Sequence, residues 1–202
     1  MNIQIKKTKP FKKNKLYKGF GMVSGNNSSR LLMDYKYEHP DRYNELLELI
    51  FGKEHLAVTH LKVEMGSDIN SSSGTEPSVM RHREEKADVT RGSAYMLACD
   101  AKKVNPDLVL DMLYWSEPRW VTDSDDVFDA RYIWYKETLI QAYNVYGIKF
   151  DCVSVNRNER AVEAEWIKYF ANRLKSEKNC RYDFSKILIV AAEEEGSLRI
   201  SD

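Results

Sequence analysis

Asn158 and Glu159 stand side by side in VNRNER (155–160), where an apolar run, Phe150–Val155, gives way to polar chain. The same pattern, polar or aromatic side chains at the exit of an apolar run, recurs upstream. Ser24, Gly25 and Asn26 close one such run and Glu64 another, with Thr75 and Glu76 in the loop beyond it. Trp115 closes a third, with Glu117 and Trp120 close behind. Carboxylates, an amide and indole rings gathered at one mouth suit a sugar. The rings stack on the apolar face of a pyranose, and the polar groups bond its hydroxyls. The reaction most natural to such a mouth is glycoside hydrolysis, which needs two carboxyl groups in different protonation states. One protonates the leaving oxygen; the other attacks the anomeric carbon or activates water. Burial and a neighbouring carboxylate both raise the acid's pKa, and Asn158 is suited to bind the sugar 2-hydroxyl.

Each of these residues also has a plainer reading. Glutamate is common in the first turn of a helix, which would account for Glu159. Trp115 equally suits a core, Glu64 an ion pair with a lysine, and Thr75 and Glu76 turn positions. Spacing alone leaves these alternatives open.

Presenting such residues together requires elements that end at one side of the fold. Hydrophobic periodicity predicts strands over 18–24, within HLAVTHLKVEM (55–65), over LVLDMLYW (108–115), over 149–155 and over KILIVAA (186–192). Helices are predicted over 40–51, about 89–103, 129–146 and about 160–178. In the first, Tyr43, Leu46, Leu47 and Ile50 share a face; in the last, Trp166, Phe170 and Leu174 do, with Ile167 beside them. Strand starts recur about every forty residues, each strand followed by one helix, which implies parallel strands with right-handed crossovers. An open doubly wound sheet and a (β/α)₈ barrel both accept this pattern. The glycines of GFGMVSG fall at 19, 21 and 25, not as GxGxxG, and there is no P-loop. Long polar loops after the second and third strands favour the barrel. A full barrel takes about 250 residues and eight strands, so the expectation is an α/β barrel of the (β/α)₈ TIM type, truncated to about its first five βα units.

The 202 residues are 43% hydrophobic with a formal net charge of zero, which supports one sizeable core over 18–202 and no global field for nucleic acid. Residues 6–18 carry seven lysines and no acid, so 1–17 read as a basic N-terminal arm, while Glu193, Glu194 and Glu195 cluster near the other end. No run reaches the roughly 18–20 apolar residues of a membrane span, and no apolar segment of a secretory signal follows the lysines. Cys99 and Cys152 fall in apolar patterns and read as packed thiols; with Cys180 they make an odd number at no metal-ligand spacing. His39, His55, His60 and His82 form no paired metal motif, so a metal is not expected.

Six collinear stretches resemble the catalytic domain of the galactocerebrosidase (galactosylceramidase) family: GFGMVSGNNSSRLL (19–32), LKVEMGSD (61–68), GTEPSVM (74–80), AKKVNPDLVL (101–110), YWSEPRW (114–120) and NER (158–160). The resemblance runs from about residue 17 to 192. It implies a retaining glycosidase acting on β-galactosides of lipids such as galactosylceramide, without metal or organic cofactor. It implies that Glu159 is the proton donor, that Asn158 contacts substrate, and that Thr75 and Trp115 line the galactose pocket. Arg157 stands where the family usually has Trp, and Val79 where it usually has His. The family's nucleophile lies on a later strand than the fifth, so the separate chain is expected to be inactive and to self-associate through exposed strand edges. Family members are usually lysosomal or secreted. Two rival readings are a sugar-binding or regulatory fragment without catalysis and a nucleotide-binding open sheet.

Overall fold

A computed structural model describes residues 18–69, 74–178 and 181–191. The basic arm at 1–17, Cys180 and Glu193–Glu195 lie outside these residues. Five short strands alternate with helices: β1 (Gly21–Ser24), α1 (Arg30–Glu38), α2 (Pro40–Phe51), β2 (His60–Glu64), α3 (Ala94–Val104), β3 (Val109–Leu113), α4 (Arg119–Thr122), α5 (Val127–Tyr146), β4 (Cys152–Ser154), α6 (Ala164–Ser176) and β5 (Leu188–Val190), with one 3₁₀ turn at Phe184–Lys186.

All strand pairs are parallel. β1 pairs with β2 and β2 with β3 in one ladder, and β4 pairs with β5 in another. The two ladders are tied across β3 and β4. Asp151 N donates to the Leu110 carbonyl at 2.9 Å, while Leu110 N donates to the Asp151 carboxylate at 2.9 Å. A side chain thus replaces a main-chain acceptor, which interrupts the regular ladder without separating the strands. Neighbours follow chain order with no reversal. An open doubly wound sheet reverses its order at the ligand crevice, and no such reversal occurs among the described strands.

Successive strand residues point to opposite faces. Leu61, Val63, Leu110, Met112 and Val153 are fully buried on the face toward the helices. Trp166, Phe170 and Leu174 of α6, and Tyr43 and Leu47 of α2, reach into this core as their spacing predicts, with Leu46 and Ile50 half-buried beside them. Each such aromatic or aliphatic side chain contributes about 1.5–3 kcal/mol by leaving water. The opposite face carries charge: Lys62 Nζ lies 3.1 Å from the Asp111 carboxylate and 3.0 Å from Ser154 Oγ. Asp111 is 1% exposed, so its pairing with Lys62 offsets the cost of its desolvation. Val23 and Leu188 remain exposed on this face. Cys99 is half-buried and Cys152 buried, both as free thiols. Among the described residues no helix is long and apolar enough to cross a membrane.

Three expectations change. β1 is followed by two helices and not one: α1 buries only Met33 while Leu31 and Tyr37 face solvent. His39, with a non-helical φ of −137° and ψ of 63° before Pro40, separates the two helices. A single turn, α4, interrupts the exit loop of β3. α6 begins at Ala164 rather than 160, and α3 at Ala94 rather than 89.

Candidate sugar-binding site

The exit loops of β3 and β4 are stitched together before any side chain reaches solvent. Asn158 N donates to the Tyr114 carbonyl at 2.9 Å, and Arg157 Nε donates to the Trp115 carbonyl at 2.6 Å. Asn156, 4% exposed, supports the loop from beneath. Its amide nitrogen donates to the carbonyls of Arg157, Arg160 and Ala161, and its oxygen accepts from Glu163 N. These bonds hold 157–163 as a loop and delay α6.

Trp115 and Asn158 consequently face one cavity of about 420 Å³, shared with Gly21, Met22, Val23, His60, Lys62 and Leu113. Trp115 is thus a pocket wall and not a core residue. Glu159 lies in the turn that follows β4, exposed, with a left-handed φ of 61°; it is neither in the first turn of α6 nor on the strand itself. It adjoins Asn158 in sequence but does not line the cavity. Thr75 is half-buried and likewise absent from that lining. It sits between Gly74, whose backbone packs against the Asn26 carbonyl, and Glu76, which bonds Asn27. The structure therefore brings Trp115 and Asn158 together and leaves Thr75 and Glu159 flanking them.

Beside this cavity the β1 loop is gripped by two acids. Asn26 N donates to Glu64 Oε2 at 2.5 Å, and Asn27 N to Glu76 Oε2 at 2.6 Å. Both asparagines are left-handed, with φ of 53° and 58°. A Cβ on Gly25 would lie 2.7 Å from the Trp115 ring and 3.1 Å from Glu64 Oε2, so only glycine fits between them. Glu64 is 6% exposed and Glu76 2%. Burial pushes the Glu76 carboxyl up to about 7; the Asn27 N–H opposes the rise and the Glu64 charge adds to it. Burial raises Glu64 too, against the pull of the Asn26 N–H. Glu76 Oε1 and the Tyr95 hydroxyl are buried without a hydrogen-bond partner among the described residues. Glu76 is therefore a buried acid and more than a turn residue.

The remaining candidates at this mouth are engaged elsewhere. Trp120 Nε1 donates to the Met80 carbonyl at 2.8 Å. Glu117 pairs with Arg131, whose guanidinium also reaches Glu163 at 3.0 Å and lies 4.8 Å from the Trp166 ring centroid. Sequence reasoning missed Asn156 and the Lys62–Asp111 pair. The available signals were twin asparagines in VNRNER and a charge interrupting each of two apolar strands, LKVEM and LVLDM.

Two solved structures share much of this fold. SrfJ from Salmonella typhimurium matches with a TM-score of 0.65 at 18% identity, covering 87% of this chain and 43% of that one. The catalytic domain of a GH30 xylanase C from Talaromyces cellulolyticus matches with a TM-score of 0.59 at 15% identity, covering 78% and 43%. At such identities the likeness is one of fold alone. The family model for glycosyl hydrolase family 59 matches residues 17–202, and the chain belongs to this family of glycosidases. Galactocerebrosidase of Mus musculus is 35% identical over 162 residues, 75% of this chain and 22% of that protein. Galactocerebrosidase of Homo sapiens is 33% identical over 168 residues, 78% and 23%. A putative galactocerebrosidase of Caenorhabditis elegans is 32% identical over 199 residues, 95% and 28%. The chain thus spans about a quarter of the length of these relatives.

Proposed function

We propose that this chain forms the first five βα units of an eight-unit barrel that cleaves β-galactosides of lipids, such as galactosylceramide, with retention of configuration. Glu159 is the proton donor, Asn158 holds the sugar, Trp115 walls the galactose pocket, and Thr75, outside the cavity lining here, contacts the sugar from the loop after β2. The observation that carries this reading is the cavity that Trp115 and Asn158 both line, fixed by hydrogen bonds from Asn158 N and the Arg157 side chain to carbonyls of the β3 exit. In the reaction Glu159 gives its proton to the glycosidic oxygen as the bond to the anomeric carbon breaks. A second carboxylate about 5–5.5 Å away attacks that carbon in a retaining enzyme. The names of the relatives support galactosylceramide as the substrate.

A second reading, sugar binding without turnover, is favoured by one feature: Glu159 is exposed and lies outside the cavity lining. Calorimetric titration with D-galactose and hydrolysis of 4-nitrophenyl β-D-galactoside decide between them. Both readings expect galactose binding that Trp115→Ala abolishes. The separate chain, without the nucleophile strand, should hydrolyse nothing in either case. Hydrolysis by the barrel completed with its later strands, abolished by Glu159→Gln, supports the first, and binding without hydrolysis in that completed barrel supports the second. A chain that binds no galactose refutes both.

A further inference from the structure

The β1 loop turns through two consecutive left-handed residues, Asn26 and Asn27, a state that asparagine tolerates better than most side chains but that two residues in a row keep only with support from their surroundings. Turning the chain this way aims successive N–H groups at anionic oxygen. Each finds a different carboxylate: Glu64, at the last position of β2, and Glu76, from the loop that follows it. Both acids are buried, so neither acts as an ordinary surface charge. The loop they hold bears directly on the pocket, because Gly25 is wedged between the Trp115 ring and Glu64 Oε2.

We propose that Glu64 and Glu76 are positioning residues: by accepting the N–H groups of Asn26 and Asn27 they set the shape of the β1 loop and, through Gly25, the seat of the Trp115 ring. Stacking on a sugar depends on where that ring lies. A displacement of about 1 Å in a positioning contact costs up to about a hundredfold in function. The proposal rests on Trp115 being the sugar platform, and its test separates the two ideas.

The full chain is labelled with 5-fluorotryptophan, and the Trp115 resonance is assigned by its loss in Trp115→Phe. The core residues Trp134 and Trp166 serve as internal reports of folding. Glu64→Leu and Glu76→Leu shift or broaden the Trp115 resonance, leave Trp134 and Trp166 in place, and weaken D-galactose binding about tenfold or more. Glu64→Gln and Glu76→Gln keep an acceptor oxygen and restore the Trp115 resonance. A Trp115 resonance unchanged in folded Leu variants overturns the proposal. The wild-type protein supplies a second measurement should the Leu variants not fold. Amide exchange at Asn26 and Asn27 is slowed at least about a hundredfold relative to free chain, and unprotected exchange at both overturns the proposal. If the wild-type chain binds no galactose, the platform reading of Trp115 falls, while the resonance and exchange results still decide whether the acids position the ring.

Discussion

Replacing Glu76 by Gln makes the protein more stable at neutral and alkaline pH and changes little at acid pH. Burial raises the Glu76 carboxyl from the ordinary 4.5 to about 7 in the folded protein. Below 4.5 the group is protonated whether the chain is folded or not, and it contributes nothing. Between 4.5 and 7 the unfolded chain ionises while the folded one holds its proton, so stability falls as pH rises. Above 7 the folded state also carries the charge, against the neighbouring Glu64 and inside walls that include the Tyr95 ring. At about 1.4 kcal/mol for each unit between 4.5 and 7, the loss is about 3 kcal/mol. Glutamine cannot ionise and keeps an oxygen for the Asn27 N–H, so the variant escapes that loss. Urea unfolding followed by tryptophan fluorescence at pH 4, 6 and 8 gives the stability of both proteins by linear extrapolation. The difference between them should grow by about 3 kcal/mol in favour of the variant from pH 4 to pH 8. Carboxyl groups that do not face Glu76 titrate alike in both proteins and cancel, and Glu64, relieved of a neighbouring charge in the variant, shifts the difference in the same direction. A difference that stays flat across this range, or that favours the wild type at high pH, would refute a buried, desolvated Glu76.

Further outcomes follow from other contacts. Asn156→Ala leaves Glu163 N and the carbonyls of Arg157, Arg160 and Ala161 without their partner. It should lower stability by about 1–3 kcal/mol in urea unfolding and loosen the loop that presents Asn158, read as weaker galactose binding. Arg131→Leu removes the buried partner of Glu117 and should cost about 3–5 kcal/mol, a drop that the same unfolding assay detects. We further expect the chain to self-associate, since Val23 and Leu188 are exposed on the inner face and β1 and β5 are each paired along one edge among the described residues. Light scattering at increasing concentration should show rising mass; an unchanging monomer would count against it.

Much of the architecture was legible because strand and helix periods are local. LKVEM and LVLDM are apolar runs of strand length broken by charge, and Trp166, Phe170 and Leu174 repeat at helical spacing; these segments become β2, β3 and α6. α1 was missed, since its nine residues are polar on average and bury a single methionine, Met33, so little apolar surface marks it as a packed helix. At the site, Trp115 and Asn158 were nominated by a simple rule, the residue at a strand's exit, and they do share a cavity. The same rule over-reached at Trp120 and Glu117, because it cannot see that Met80 and Arg131 already hold them.

The residue order alone determined that strands and helices alternate, which faces of them are apolar, and that acids, an amide and indoles fall at strand exits. Those features depend on neighbours within a few positions. Only the tertiary structure decided which exits meet, that Glu64 and Glu76 turn inward to hold Asn26 and Asn27, that Lys62 answers Asp111, and that Glu159 stands out on a left-handed turn. Each of these joins residues far apart in the chain or depends on such a junction. The burial and hydrogen bonds that set their energies exist only once the β1, β2, β3 and β4 segments have come together.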